Sequence, residues 1–261
     1  MPLTFDQPPL NEVLVGYTFL PRPDLLIPHI GRFWTEISDQ YPGCQHAPVV
    51  LDTPEEPAAI DLSLPRVWYL NDESGFLVQV QQDRLMLSWR DLGKGARYPR
   101  FPSVKAEFLR IDGLFRAHVE RLTGVAIQPA EFLTNYVNLI RSGEGWSGFR
   151  DLARVFPCLQ WTQPATTRLS EPRVASWALD FALPESLGSL ITTLNQGKVR
   201  ADGTPVLRFE LAAKSGPEGP RRMDMSAWFD GAHDAIVHAF KELTGPEMHS
   251  QHWNLKQGDE Q

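Results

Sequence analysis

Residues 67–90 read Val67-Trp68-Tyr69-Leu70-Asn71-Asp72-Glu73-Ser74-Gly75-Phe76-Leu77-Val78-Gln79-Val80-Gln81-Gln82-Asp83-Arg84-Leu85-Met86-Leu87-Ser88-Trp89-Arg90. β-Branched and aromatic side chains dominate, and these favour extended backbone because they pack well on a pleated surface. Phe76, Val78 and Val80 share one parity, and Leu85, Leu87 and Trp89 share another. The polar run Asn71 to Gly75 and the pair Asp83-Arg84 supply turns between the apolar runs. The spacing predicts an antiparallel meander of three strands, Val67–Leu70, Phe76–Gln81 and Leu85–Arg90.

Upstream, residues 12–19 are rich in β-formers and are stopped by Pro21 and Pro23. A helix is expected from about Asp24 to Tyr41, with Ile30, Phe33, Trp34 and Ile37 at helical spacing and Pro42-Gly43 as its stop. Residues 52–65 carry three prolines and read as a loop. Downstream, a polar loop from Asp91 to Pro102 leads to a long helix, Ser103–Leu122, with Ser103 as N-cap and Gly124 as C-cap glycine.

The rest of the chain repeats this order. A strand is expected over Phe132–Ile140 and a short helix over Trp146–Phe156. Strands follow over Ala175–Leu183, Leu190–Leu194 and Pro205–Ala212. A final helix, Ser226–Leu243, is capped by Gly245-Pro246. Matching residues recur at nearly constant offset. Glu12 and Tyr17 match Glu131 and Tyr136. Met86-Leu87-Ser88-Trp89 matches Val206-Leu207-Arg208-Phe209. Ala106 and Phe108 match Ala227 and Phe229, and Leu122-Thr123-Gly124 matches Leu243-Thr244-Gly245. Each half therefore reads β-α-(β-meander)-α. The expectation is an α+β protein of internally duplicated units, 1–125 and 126–247, with a tail at 248–261. The two units would form a curved antiparallel sheet with helices on one face. At the level of architecture alone this resembles saddle-shaped TATA-binding-protein-like or helix-grip folds, a likeness that carries no activity.

Composition narrows the classes of function. The chain has 261 residues, 42% apolar and 22% charged, with a net charge of −7. That balance excludes disorder and collagen. No apolar run reaches the ~18 residues of a membrane span, and the N-terminus has no basic, apolar leader. A cytoplasmic protein is expected, with Cys44 and Cys158 as reduced thiols and Cys158 buried in an apolar context. Charge divides evenly, 12 basic and 16 acidic residues in 1–125 against 13 and 16 in 126–261. This argues against general nucleic-acid coating.

Two clusters can carry chemistry. The first is the basic stretch Arg90 to Arg110, where Arg90, Arg97 and Arg100 interleave with Tyr98 and Phe101. Such a stretch suits phosphate contact with base stacking, and equally suits a solvated loop anchored by two aromatics. The second is C-terminal: Asp230, His233 and Asp234 share a helix face, followed by His249 and Trp253. Asp230, His233 and His249 can in principle supply three metal ligands. The favoured reading has His233 locking the helix to the sheet, with no metal. Gly143-Glu144-Gly145-Trp146 reads as a loop, with an anion on its free N–H groups as the alternative. GxSxG, P-loop, GxGxxG and HExxH motifs do not occur.

Several segments resemble a sporadically distributed, uncharacterised bacterial family of about this length. They include Pro8-Pro9-Leu10-Asn11-Glu12-Val13, Ile30-Gly31-Arg32-Phe33-Trp34, residues 80–90, Tyr98-Pro99-Arg100-Phe101, Tyr136-Val137-Asn138-Leu139-Ile140, and Ala232-His233-Asp234-Ala235-Ile236-Val237 through Trp253. Gly245 stands where a second threonine is usual in that family. The resemblance implies positions rather than roles. Its patchy occurrence implies an accessory gene of bacterial defence or of a toxin–antitoxin-like operon.

The expected function is therefore a non-catalytic binding or accessory protein, without catalytic residues or cofactor, acting through a protein partner encoded nearby. The alternative is a ligand-, nucleotide- or nucleic-acid-binding protein that uses the concave sheet face or the basic loop 90–110.

Overall fold

The computed structural model describes residues 3–50, 66–93, 97–160, 168, 170, 172–184, 187–199 and 201–256. The elements are β1 (Thr4–Phe5), β2 (Leu10–Phe19), α1 (Ile27–Ile37), β3 (Gly43–Ala47), β4 (Arg66–Asn71), β5 (Phe76–Gln81), β6 (Arg84–Arg90) and α2 (Phe101–Thr123). Then come β7 (Pro129–Arg141), a 3-10 turn at Phe149–Asp151, α3 (Leu152–Val155), β8 (Ser176–Ala182), β9 (Ser189–Lys198) and β10 (Pro205–Lys214). The chain ends with α4 (Gly219–Arg222), α5 (Met225–Leu243), α6 (Pro246–Gln251) and β11 (Leu255–Lys256). Helices and antiparallel sheet are both present, so the class is α+β.

The chain forms two compact units. One holds Glu12–Thr134 and Ser215–Phe229, and the other holds Met1–Asn11, Asn135–Lys214 and Asp230–Gln261. They are called the meander unit and the terminal unit below.

In the meander unit the strand order is β3-β4-β5-β6-β2. Register sets which side chains face which way. Val13, Val15 and Tyr17 lie opposite Trp89, Leu87 and Leu85, and Val78 and Val80 lie opposite Leu87 and Leu85. This parity is buried, as are Phe33 of α1 and Val104, Phe108, Ile111, Phe115 and Val119 of α2. Burying such side chains removes about 1.5–3 kcal/mol of unfavourable hydration each. Aromatic edges interlock there: Phe33 with Phe115 at 5.2 Å and Tyr17 with Phe108 at 6.0 Å. Phe229, at the start of α5, meets Phe108 at 5.3 Å.

In the terminal unit β8 pairs with β9 and β9 with β10, all antiparallel. Phe209 of β10 meets Phe156 at 5.0 Å and Trp177 at 5.6 Å. The two-residue strands β1 and β11 pair with each other, and Phe5 packs on Phe240 at 5.1 Å.

The expected meander is present with its boundaries moved by a residue at most. Other expectations are corrected. Helix α2 starts at Phe101, not after a Ser103 cap; Arg100 is its N-cap at φ +71°, and Pro102 occupies the first turn, where its missing N–H costs nothing. The helix at 24–41 is shorter, Ile27–Ile37. The helix expected over Trp146–Phe156 is only a 3-10 turn and one turn of α3, because Trp146 instead donates its indole N–H to Ile140 O. Cys158 is exposed, as is Cys44; it follows Pro157 on a turn beyond the buried Phe156. The loop expected at 52–65 lies outside the described residues. None of the described helices is long and apolar enough to cross a membrane.

Candidate functional site

Side chains alternate along a strand, so the second parity of the meander unit's sheet faces away from α1 and α2. That parity carries Leu14 and Gly16 of β2, Arg84, Met86, Ser88 and Arg90 of β6, Gln79 and Gln81 of β5, and Arg66 and Trp68 of β4. The face is unusually polar for a buried one. Gln79, Gln81, Arg84 and Ser88 are all at most 5% exposed.

Buried polar groups must be paired, and most of these are. The Gln79 amide donates to Ser88 Oγ at 3.0 Å, and its carbonyl accepts from Trp68 Nε1 at 3.1 Å and Arg66 Nη1 at 3.3 Å. Gln81 holds Val50 at both backbone groups: Val50 N–H donates to Gln81 Oε1, and Gln81 Nε2 donates to Val50 O, each at 3.0 Å. Arg84 forks onto Asp83, Nε to Oδ1 at 2.9 Å and Nη2 to Oδ2 at 2.7 Å. The guanidinium carbons of Arg66 and Arg90 each lie 5.1 Å from the Trp68 ring centroid, within cation–π range.

Two donors stand apart. The Nε–H groups of Arg66 and Arg90 are buried and have no hydrogen-bond partner. Burial, and then the Arg84 charge, hold the Arg66 guanidinium below its usual pKa, against a smaller opposing pull from Glu12. An arginine nevertheless keeps its charge in a protein.

Arg66 opens onto a cavity of about 100 Å³, lined also by Leu14, Val50, Gln79, Val80, Arg84, Met86 and Leu133. Gly16 makes room for one lining residue, Met86. Opposite Met86 in register, it leaves the space that the Met86 thioether fills; an added Cβ would collide with that sulfur and with Leu85 O.

The residues singled out from sequence are dispersed. Arg90 is on this face. Its neighbour Trp89 points the other way and stacks on Tyr98 at 5.2 Å, so Tyr98 belongs with the opposite side of β6. Arg97 and Arg100 are exposed, and Phe101 is buried as the first residue of α2. Further along the stretch, Arg110 is ion-paired with Glu107. The basic run is thus one arginine on the sheet face, a separate loop and the first turns of α2. In the terminal unit, His233 Nδ1 shares a 2.7 Å hydrogen bond with the Tyr136 hydroxyl, while Asp230 and Asp234 are exposed. His249 is buried against Phe5 and Trp253, and its Nε2 meets Thr244 Oγ1 at 2.7 Å. Among the described residues, no group of three or more His, Cys, Asp or Glu is placed to hold a metal ion. In the Gly143-Glu144-Gly145 turn, Gly143 N donates to Trp146 O and Glu144 N to Arg141 O, so those two amides are already engaged.

His249 makes the terminal unit sensitive to acid. Burial, then the Lys241 charge, lower its pKa from 6.5. The unfolded chain therefore binds this proton first as pH falls. Stability is full above pH 6.5 and declines from there toward the lower folded-state value. The urea midpoint should fall between pH 7.5 and pH 5, and His249→Gln, which keeps a donor toward Thr244, should remove part of that fall. A His249→Gln profile parallel to wild type would rule this group out.

No family model, curated protein or solved structure matches this chain. The site must speak through its own geometry.

Proposed function

We propose that this chain is a binding protein rather than a catalyst, and that the polar sheet face of its meander unit takes an anionic ligand. The observation that carries the reading is Arg66: a charged donor, buried and unpartnered at Nε, on the wall of a cavity. Leaving a buried polar donor unsatisfied costs about 1–3 kcal/mol, and more when it is charged. An anion in the cavity balances the guanidinium charge. A full nucleotide exceeds the cavity, so the ligand, or the part of it that enters, is small.

The duplicated architecture is part of the same proposal. Tyr17 donates to Asp112, and Tyr136 pairs with His233, at offsets of 119 and 121 residues. Thr123 and Thr244, 121 apart, each donate to the carbonyl four residues earlier. These equivalences support two diverged copies of one unit; the basic sheet face described above belongs to the first. Membership of the sporadic bacterial family, with an accessory role in defence, rests on the quoted sequence segments alone.

A second reading has an observation of its own. Leu20, Leu26, Ile27 and Val125 of the meander unit are exposed large apolar residues, and Arg22 ties the region together by donating to Val125 O and Thr123 Oγ1. Such a surface suits a protein partner. Native mass spectrometry of the protein from its own cells separates the two readings. The anion reading expects a small retained mass that Arg66→Ala loses. The partner reading expects a retained chain that Ile27→Ser loses. If wild type carries no small mass and takes up no anion on titration, the anion reading falls.

A further inference from the structure

Resting on that reading of the sheet face, we infer that the ligand group is a small apolar monocarboxylate rather than a phosphate. Three observations on the cavity wall lead there. First, among the described lining residues the unbalanced charge is one. Arg84 lines the cavity, but its guanidinium is forked onto Asp83. Arg90 is not part of the lining; it lies over Trp68 and opposite Glu12 in register. Among the described residues, Arg66 is left as the cavity-lining cation with no carboxylate within ion-pair distance, Glu12 acting on it only weakly. A dianion would bring two negative charges to one cation in a partly enclosed site, where unbalanced charge is costly.

Second, the donor geometry fits a carboxylate. Gln79 Oε1 accepts from Arg66 Nη1 at 3.3 Å and fixes the guanidinium plane. The Nε–H edge stays unpartnered. A carboxylate pairs with the guanidinium by charge-assisted hydrogen bonds, in the planar manner that makes arginine its usual partner. Third, the remaining wall is apolar: Leu14, Val50, Met86 and Leu133. A phosphate needs acceptor-satisfying donors around three oxygens, and these side chains have none. An organic acid presents its apolar body to them. The volume, about 100 Å³, is of the order of the ~150 Å³ apolar cavity that holds a benzene ring, so the body is a short branched chain or at most one small ring. Gln81, by holding Val50 at both backbone groups, keeps one apolar wall in place.

The test is isothermal titration of the full chain with isobutyrate, benzoate, benzamide and inorganic phosphate. Isobutyrate or benzoate is expected to bind, and benzamide, the neutral analogue of benzoate, is expected to bind at least tenfold more weakly. Arg66→Met should lose about tenfold to a hundredfold in carboxylate affinity. Arg66→Lys should also lose affinity, because an ammonium does not reproduce the planar fork. Circular dichroism and the urea midpoint establish that each variant is folded. Gln79→Met, which frees the guanidinium plane, is the second variant and should weaken binding if Arg66→Met does not fold. Phosphate binding that depends on Arg66, with no carboxylate binding, would overturn the ligand class and leave the anion site standing. Binding of benzamide equal to benzoate would overturn both the charge argument and the site. No binding of any of the four would overturn both proposals.

Discussion

Alanine at position 245 should destabilise the terminal unit by about 3 kcal/mol or more, at the upper end of what overpacking costs. Gly245 has φ −76° and ψ 142°, angles open to any residue. Space is what forbids a side chain. A Cβ there would penetrate the carbonyl oxygen of Arg154, which is backbone and cannot swing aside. The approach is fixed from both ends: Gly245 N donates to Val155 O at 2.8 Å, and Gly245 is itself the N-cap of α6. Relief would need α3 or α6 to move, and α6 carries the buried Met248 and His249. Urea denaturation should show a lower midpoint with little change of slope. Gly231→Ala is the control. Its Cβ would meet Leu187 Cδ2 at 2.8 Å, but that atom ends a rotatable side chain, and alanine gains about 1 kcal/mol of helix propensity over glycine. Gly231→Ala should be close to neutral. Equal effects from the two variants would mean that the Arg154 contact does not constrain the unit.

The meander was readable because its apolar residues alternate between two clean turns, and the long helices because glycine and proline mark their ends. Gly124 is the clearest case, at φ +72° with its N–H on Glu120 O. What could not be read depends on distant partners. Strand β3 is Gly-Cys-Gln-His-Ala, with no apolar alternation; it is extended because β4 pairs with it. Strands β1 and β11 are two residues each and exist only as a pair. The candidate site is half legible. Arg90 and the sheet face are visible as alternatives, whereas no motif in the sequence sets Arg66, Trp68 and Gln79 apart. A signal was present in the parity: Gln79, Gln81, Arg84, Ser88 and Arg90 all lie opposite the apolar set of their strands. Alternation marks two faces, but it does not say that the polar one is also buried.

Replacing Asp112 by alanine should cost about 3 kcal/mol, the lower end of the range for breaking a buried ion pair. Asp112 is a carboxylate on α2 that is only 6% exposed. It accepts from the Tyr17 hydroxyl at 2.7 Å and from Arg116 Nε at 2.7 and 2.9 Å. Arg116 also lies over the Tyr17 ring, 5.1 Å from its centroid. The three groups thus pin α2 to β2 inside an otherwise apolar interface. Tyr17 cannot turn to water when its acceptor is removed, because it is fully buried; burial, with the Asp112 charge second, pushes its pKa well above 10. Arg116 can turn, since its side chain is a third exposed, and this is what keeps the expected cost at the low end. Tyr17→Phe removes one donor and leaves the carboxylate on Arg116, so about 1 kcal/mol is expected. In a double-mutant cycle, Tyr17→Phe combined with Asp112→Ala should fall short of additivity by about 1 kcal/mol, because the second change removes a bond the first has already broken. The matching pair in the terminal unit, Tyr136 and His233, involves a half-buried histidine and no buried charge. His233→Ala should therefore cost clearly less than Asp112→Ala when both are measured by urea midpoint. A cost below 1 kcal/mol for Asp112→Ala would show that the apolar contacts of Phe108, Ile111 and Phe115 alone hold α2 in register.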